Sequence, residues 1–163
     1  MKITAIKYGA LGGTLCGIMM TAAFYAGIQT KNNEYLTLGT LLLNFSACFF
    51  PIREVRQKLG GEIEFKKAIG ISISAGILAA IVFSIFTITY YTILNPNFAD
   101  PYLNDIEISL KQAGLKGEAL KNEMQQWRQD LTAINQTAKT LLGFSFLNSI
   151  FAAISSLILC KKD

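Results

Sequence analysis

The chain has 163 residues, 52% of them hydrophobic, and its 15 Lys+Arg and 11 Asp+Glu all lie outside four uncharged stretches, 8–30, 35–52, 68–99 and 140–160. A bilayer core about 30 Å thick takes roughly 20 apolar helical residues, so these stretches have the length of membrane spans, and a water-soluble α/β enzyme is excluded. The complete absence of histidine removes imidazole zinc sites, haem-type His ligation and a His general base.

In chain order, the first element is a span at about 8–29. Lys2 and Lys7 before an apolar run resemble the start of a secretory signal. The run is longer than the usual 7–15 residues and no A-x-A pattern closes it, so an uncleaved first span is expected. Ala5, Gly9, Gly13, Gly17 and Thr21 recur every fourth residue and form two overlapping G-x-x-x-G units. Residues four apart share one side of a helix. In lipid, where apolar burial gives little drive to association, such a small-residue groove lets another backbone approach closely. Gly9 to Gly13 is not a phosphate loop, since no strand precedes it and no Lys-Ser/Thr closes it.

The second span, about 35–52, is short and carries Asn44 near its middle, with Ser46 beside it and Pro51 near its end. A buried amide calls for an interhelical partner, and Asn148 and Ser149 of the last span are candidates. The connection 53–67 crowds Arg53, Arg56, Lys58, Lys66 and Lys67 around a Gly60-Gly61 turn, offset by Glu54, Glu62 and Glu64. Each basic side chain near an anionic leaflet contributes about 1 kcal/mol. The cluster therefore either enforces topology or binds lipid head groups.

The third span, about 68–94, repeats the small-residue spacing in Ala68, Ser72, Gly76, Ala80 and Ser84. A shift of 63 residues overlays this stripe on the first one, a hint of two related hairpins. Tyr90-Tyr91 suits a membrane interface, and Asn95-Pro96 and Asp100-Pro101 stop the helix. The outer segment, about 100–138, is expected to be helical. Leu103, Ile106, Leu110 and Ala113 form one apolar stripe as far as Gly114, and Leu120, Met124, Trp127, Leu131, Ile134 and Ala138 form a second past Gly117. The second has heptad spacing and is expected to run into the last span as one long helix. The stripes pack on each other as a cap or lie on the leaflet with Trp127 as anchor. Asn135-Gln136-Thr137 matches a glycosylation acceptor only by chance. The fourth span, about 139–160, adds Ser145, Ser149 and Ala153 to the small-residue stripes and Asn148 to the intramembrane amides.

Taking connections alternately, 1–7, 53–67 and 161–163 hold nine Lys+Arg, and 31–34 with 100–139 hold six in a longer stretch. Basic residues resist translocation, so the denser side, with both termini, is predicted to be cytoplasmic. Cys16, Cys48 and Cys160 lie in uncharged runs without metal-ligand spacing and read as packing residues.

The run from Arg53 through Gly60, Gly61, Ile63, Phe65, Ala68 and Gly70, followed by Tyr90-Tyr91, Pro96, Phe98 and Tyr102, resembles the domain of unknown function 4199 family over nearly the whole chain. Members commonly read GG-x-I-x-F-x-x-A-x-x-x-G before the third span and an aromatic pair with a Pro-x-F turn after it. Here the final glycine comes two residues after the alanine, and Asn97 replaces a common Asp. The resemblance implies a small four-span inner-membrane protein of Bacteroidota, and it brings no catalytic residues with it.

The sequence therefore predicts an all-α membrane protein, a single domain built as a four-helix bundle with a helical extracytoplasmic segment between spans three and four. No catalytic, cofactor or metal site is expected, and no enzyme. The expected helix-packing residues are Gly9, Gly13, Gly17, Ser72, Gly76, Ala80, Ser84, Ser145 and Ser149. A membrane subunit or scaffold that binds lipid and either itself or a membrane-protein partner is the first functional reading. The second is a small channel or carrier for a neutral or lipidic solute, lined by Asn44, Asn148 and the Ser/Thr positions of the third span. Nucleic acid is not an expected partner, because the basic residues flank spans instead of forming a surface interleaved with aromatics.

Overall fold

The computed structural model describes residues 2–28 and 34–160. Met1, Lys31, Lys161 and Lys162, which enter the charge comparison between the two sides, lie outside the described residues. The described chain is helical and contains no strand. Six α-helices follow one another: α1 Lys2–Tyr25, α2 Glu34–Lys58, α3 Phe65–Thr89, α4 Asp100–Gln112, α5 Gly117–Asp130 and α6 Ala133–Leu159. A π-helical turn, Tyr90–Leu94, extends α3. The four long apolar segments Lys2–Tyr25, Glu34–Lys58, Phe65–Leu94 and Ala133–Leu159 are each sufficient to cross a bilayer. Contacts gather in two compact units, Met1–Phe86 with Thr140–Asp163, and Thr87–Lys139.

In the first unit Ala5 from the start of α1, Ile52 and Val55 from the end of α2, Ile63 and Ala68 around the start of α3, and Leu159 from the end of α6 form one apolar cluster. Successive long helices therefore run antiparallel, and α1 begins at the end where α6 finishes. Away from that cluster the interior is made mostly of small and polar side chains. Cys16, Cys48, Ala75, Ala79, Ala80, Ala152, Asn44, Asn148, Ser72, Ser155 and Ser156 are buried, whereas Leu11, Ile18, Leu42, Ile81, Ile85, Leu142, Phe146 and Leu157 face outward. In water this distribution would expose the groups that most need burial. In hydrocarbon the outward aliphatics cost nothing and the backbone is satisfied within each helix.

Pro51 sits inside α2 and removes one N–H donor from its ladder. The carbonyl that loses its donor is that of Ala47. Next to it in the chain, the Ser72 hydroxyl of α3 donates to the Cys48 carbonyl at 2.8 Å, a bond between neighbouring helices. After Lys58 the chain reverses through Gly60 and Gly61, whose φ values of +84° and +102° belong to the left-handed region that glycine enters without strain. The Arg56 carbonyl accepts the Gly61 N–H at 2.9 Å, and the Arg56 Nε–H donates back to the Gly61 carbonyl at 2.6 Å.

In the second unit α4 and α5 pack on each other as a hairpin. Leu103 is buried, while Ile106, Leu110, Leu120 and Met124 are half-buried and Trp127 stays partly exposed. The expected continuous helix from the second stripe into the last span is not formed, because α5 ends at Asp130 and α6 begins at Ala133. Side-chain amides stabilise the break. Asn135 Nδ2 donates to the Gln129 carbonyl at 2.7 Å and Gln136 Nε2 to the Asp130 carbonyl at 3.0 Å, meeting acceptors that a continuing helix would have bonded. Thr132 Oγ1 accepts the Asn135 N–H at 3.4 Å in the manner of an N-cap.

Candidate functional site

The α-helical geometry of α2 sets Asn44 and Cys48 about one turn apart on a single face, and both are buried. Asn44 Nδ2 donates to the Thr40 carbonyl at 2.8 Å and lies 3.4 Å from Cys16 Sγ of α1. Its Oδ1 accepts from Asn148 Nδ2 of α6 at 3.2 Å, and the same nitrogen donates to the Gly76 carbonyl of α3 at 2.8 Å. Cys48 Sγ–H points to the Asn148 carbonyl at 3.6 Å. One polar node thus ties together all four long helices of the first unit. It holds two carboxamides, two thiols and the Ser72 hydroxyl, groups that exchange hydrogen bonds without carrying charge. Among the described residues no group of three or more Cys, Asp or Glu is placed to hold a metal ion. Asn148 Oδ1 and the hydroxyls of Ser155 and Ser156 are buried without a hydrogen-bond partner.

Small residues decide how closely the helices around the node approach. A Cβ added at Gly9 would stand 2.5 Å from the Ala75 carbonyl oxygen, and one at Gly13 2.5 Å from that of Ala79, so α1 lies directly on the α3 backbone. Gly17 meets the Phe86 ring. Gly76 abuts Asn148, where a Cβ would come 2.7 Å from the Asn148 Cβ. Ser72 and Ala80 are fully buried and Ser84 nearly so, with its hydroxyl donating to the Ala80 carbonyl at 2.8 Å. The stripes of α1 and α3 that overlay at a shift of 63 residues do not face each other: the first meets Ala75 and Ala79, and the second meets Cys48 and Asn148.

On α6 the expected packing stripe is not the face turned into the first unit. Ser149 is exposed, with its hydroxyl turned back to the Ser145 carbonyl at 2.9 Å, and Ser145 is only half-buried. The face turned inward is Asn148, Ala152, Ser155, Ser156 and Leu159. It lies one residue round the helix, because Asn148 carries the amide that Asn44 and Gly76 engage. Ser149 accordingly makes no bond to Asn44. Sequence reasoning also missed Gly12, which contacts Ala47 of α2 and gives α1 a second close-packed face, and the two thiols as members of the node. The one-turn spacing of Asn44 and Cys48 was a usable clue for Cys48, whereas Cys16 had none.

Some cations at and around the basic connection are engaged within the chain, even where they are largely exposed. Lys58 Nζ lies 2.6 Å from Glu54 Oε1 and Lys7 Nζ 3.4 Å from Glu54 Oε2, with Lys7 also 4.9 Å from the Tyr8 ring centroid. Arg56 is tied to the Gly61 carbonyl. Arg53, Lys66 and Lys67 are exposed.

Long helices whose central stretches carry no charge, with amides and small residues turned inward and large aliphatics turned outward, define a polytopic α-helical membrane protein. Residues 7–161 match the family described as Protein of unknown function (DUF4199), and the chain belongs to that family. No curated protein and no solved structure matches it. The residues that carried the resemblance have physical roles here. Gly60 and Gly61 make the turn, and Ile63 and Ala68 enter the apolar cluster beside it. Tyr91 stacks on Phe98 with ring centroids 4.1 Å apart across the Pro96 turn, while Asn95 Nδ2 donates to the buried Tyr90 hydroxyl at 3.1 Å. These contacts close the π-helical end of α3 onto its own turn.

Proposed function

We propose that this protein is a non-enzymatic subunit or scaffold of a bacterial inner membrane, with both termini cytoplasmic, that binds lipid and either a second copy of itself or a membrane-protein partner. The observation that carries this reading is the use made of the intramembrane amides. Asn44 and Asn148 are spent on bonds between helices, and a polar side chain committed in this way holds a bundle together instead of lining a path. The uncharged spans agree with it, since coupled carriers and proton relays place ionisable groups there. α6 supports the partner element: its apolar stretch has the smallest inward share of the four, and Ser149 and Gly143 on its outward side leave room for another helix. The test is mass measurement in mild detergent together with cross-linking in cells. An assembly or a stoichiometric co-purifying protein is expected, and Gly143→Leu should disperse it without unfolding the bundle. A monomer with no partner and no cross-link rejects the reading.

A channel or carrier for a neutral solute is favoured by one observation, the three unpartnered polar atoms of Asn148, Ser155 and Ser156 inside the bundle. Flux in proteoliposomes separates the two readings, because transport through the node must fall in an Asn44→Leu variant that stays folded.

A further inference from the structure

At the end of the first unit marked by the Ala5, Ile52, Ala68 and Leu159 cluster stand all of that unit's described cations, seven of them against Glu54, Glu62 and Glu64. Three are engaged internally: Lys58 and Lys7 with Glu54, and Arg56 with the Gly61 carbonyl. Arg53, Lys66 and Lys67 are exposed, on the flanks of Ile52 and Ala68. Leu59 and Phe65 lie on the same connection, 47% and 42% exposed, and Ile3 and Ile6 project outward from the start of α1. Exposed cations interleaved with exposed apolar groups are suited to a ligand that has both a phosphate and a hydrocarbon part. Long basic side chains keep their heads at the phosphate level while neighbouring rings and aliphatics enter the acyl region. A free anion or a nucleic acid would use only the cations and leave Leu59 and Phe65 in water. Glu62 and Glu64 interrupt the cations, which suits separate headgroups more than a continuous polyanion.

We propose that Arg53, Lys66 and Lys67 bind the phosphates of anionic phospholipids in the leaflet at this end of the bundle, with Phe65 and Leu59 seated among the acyl chains. Arg56 has a different job, holding the turn that presents the others. This inference rests on the lipid-binding element of the proposed function and not on its protein-partner element.

The full chain is placed in nanodiscs of mixed phosphatidylglycerol and phosphatidylethanolamine, and the lipids that remain bound on release are counted by native mass spectrometry. Preferential retention of phosphatidylglycerol is expected. The Arg53→Gln, Lys66→Gln, Lys67→Gln variant should lower that preference by at least about tenfold, and the charge-conserving Arg53→Lys, Lys66→Arg, Lys67→Arg variant should keep it. Lys111→Gln with Lys121→Gln, in the other unit, should leave it unchanged. Added inorganic phosphate should not displace the lipid. Because losing three cations can also alter insertion, the unaltered chain is titrated with salt, and the preference should fall as screening rises. Equal retention of both lipids, a preference untouched by salt or by the glutamine variant, or displacement by inorganic phosphate overturns the proposal.

Discussion

Asn148 links α6 to both α2 and α3, because one amide nitrogen serves both the Asn44 side chain and the Gly76 backbone. Interhelical hydrogen bonds in membranes are worth about 0.6 kcal/mol each on average and about 1.7 at most, so Asn148→Leu should cost about 1–3 kcal/mol. Thermal unfolding in mild detergent measures this, and a variant with the same midpoint would show that the node adds nothing to stability. Outside the spans, Glu107 accepts from Lys111 at 2.7 Å. That hydrogen bond, aided by the Lys111 and Arg128 charges, holds its carboxyl below the ordinary carboxylate range. A carboxyl depressed in the folded state stabilises above its unfolded pKa and loses that contribution as pH falls through the folded value. Glu107→Gln should therefore unfold slightly earlier than the parent near neutrality, and the two curves should converge in acid. The pair is exposed, so the difference is small and shrinks with salt. Both asparagines were legible as intramembrane polar groups and as candidate partners. Their link to Gly76 was not, since a backbone carbonyl offers nothing in a sequence to mark it as an acceptor.

At the scale of elements, the close contact of α1 with α3 follows from Gly9 and Gly13, where the space for a Cβ is already filled by carbonyl oxygens. Backbone cannot yield as a flexible side chain can, so Gly13→Ala should destabilise by about 1–3 kcal/mol. Gly143→Ala, where nothing lies within 4 Å, should leave the unfolding midpoint unchanged or slightly raised. Equal effects at the two sites would mean that α1 and α3 are not packed this way. The stripe on α6 illustrates the limit of spacing arguments. Ser145, Ser149 and Ala153 repeat every four residues, but so do Asn148, Ala152 and Ser156 one residue round the helix, and only the second set turns inward. Period alone does not choose between adjacent stripes of equal smallness. Likewise, the heptad spacing through Ala138 ran across a break made by Thr132, Asn135 and Gln136, whose side chains bond backbone groups that an apolar pattern ignores.

For the whole molecule, the inverted distribution of side chains has a direct consequence in solution. With Leu11, Ile81, Leu142 and Phe146 outward, the chain should stay with vesicles through an alkaline carbonate wash and precipitate when detergent is withdrawn. Release into plain buffer as a dispersed monomer would contradict the fold described here. The sequence by itself determined the helical membrane class, the presence and order of four long apolar segments, the Gly60-Gly61 reversal and the proline stop after the third. Those features follow from properties each segment carries alone: length without charge, peptide groups satisfied within one helix, and residues that permit or forbid a local conformation. Only the tertiary structure decided which small stripe meets which neighbour, that Asn148 turns inward and Ser149 outward, and which cations of the basic connection are already engaged. Those outcomes depend on surfaces from distant parts of the chain meeting, and the free energy of such a meeting belongs to neither segment alone.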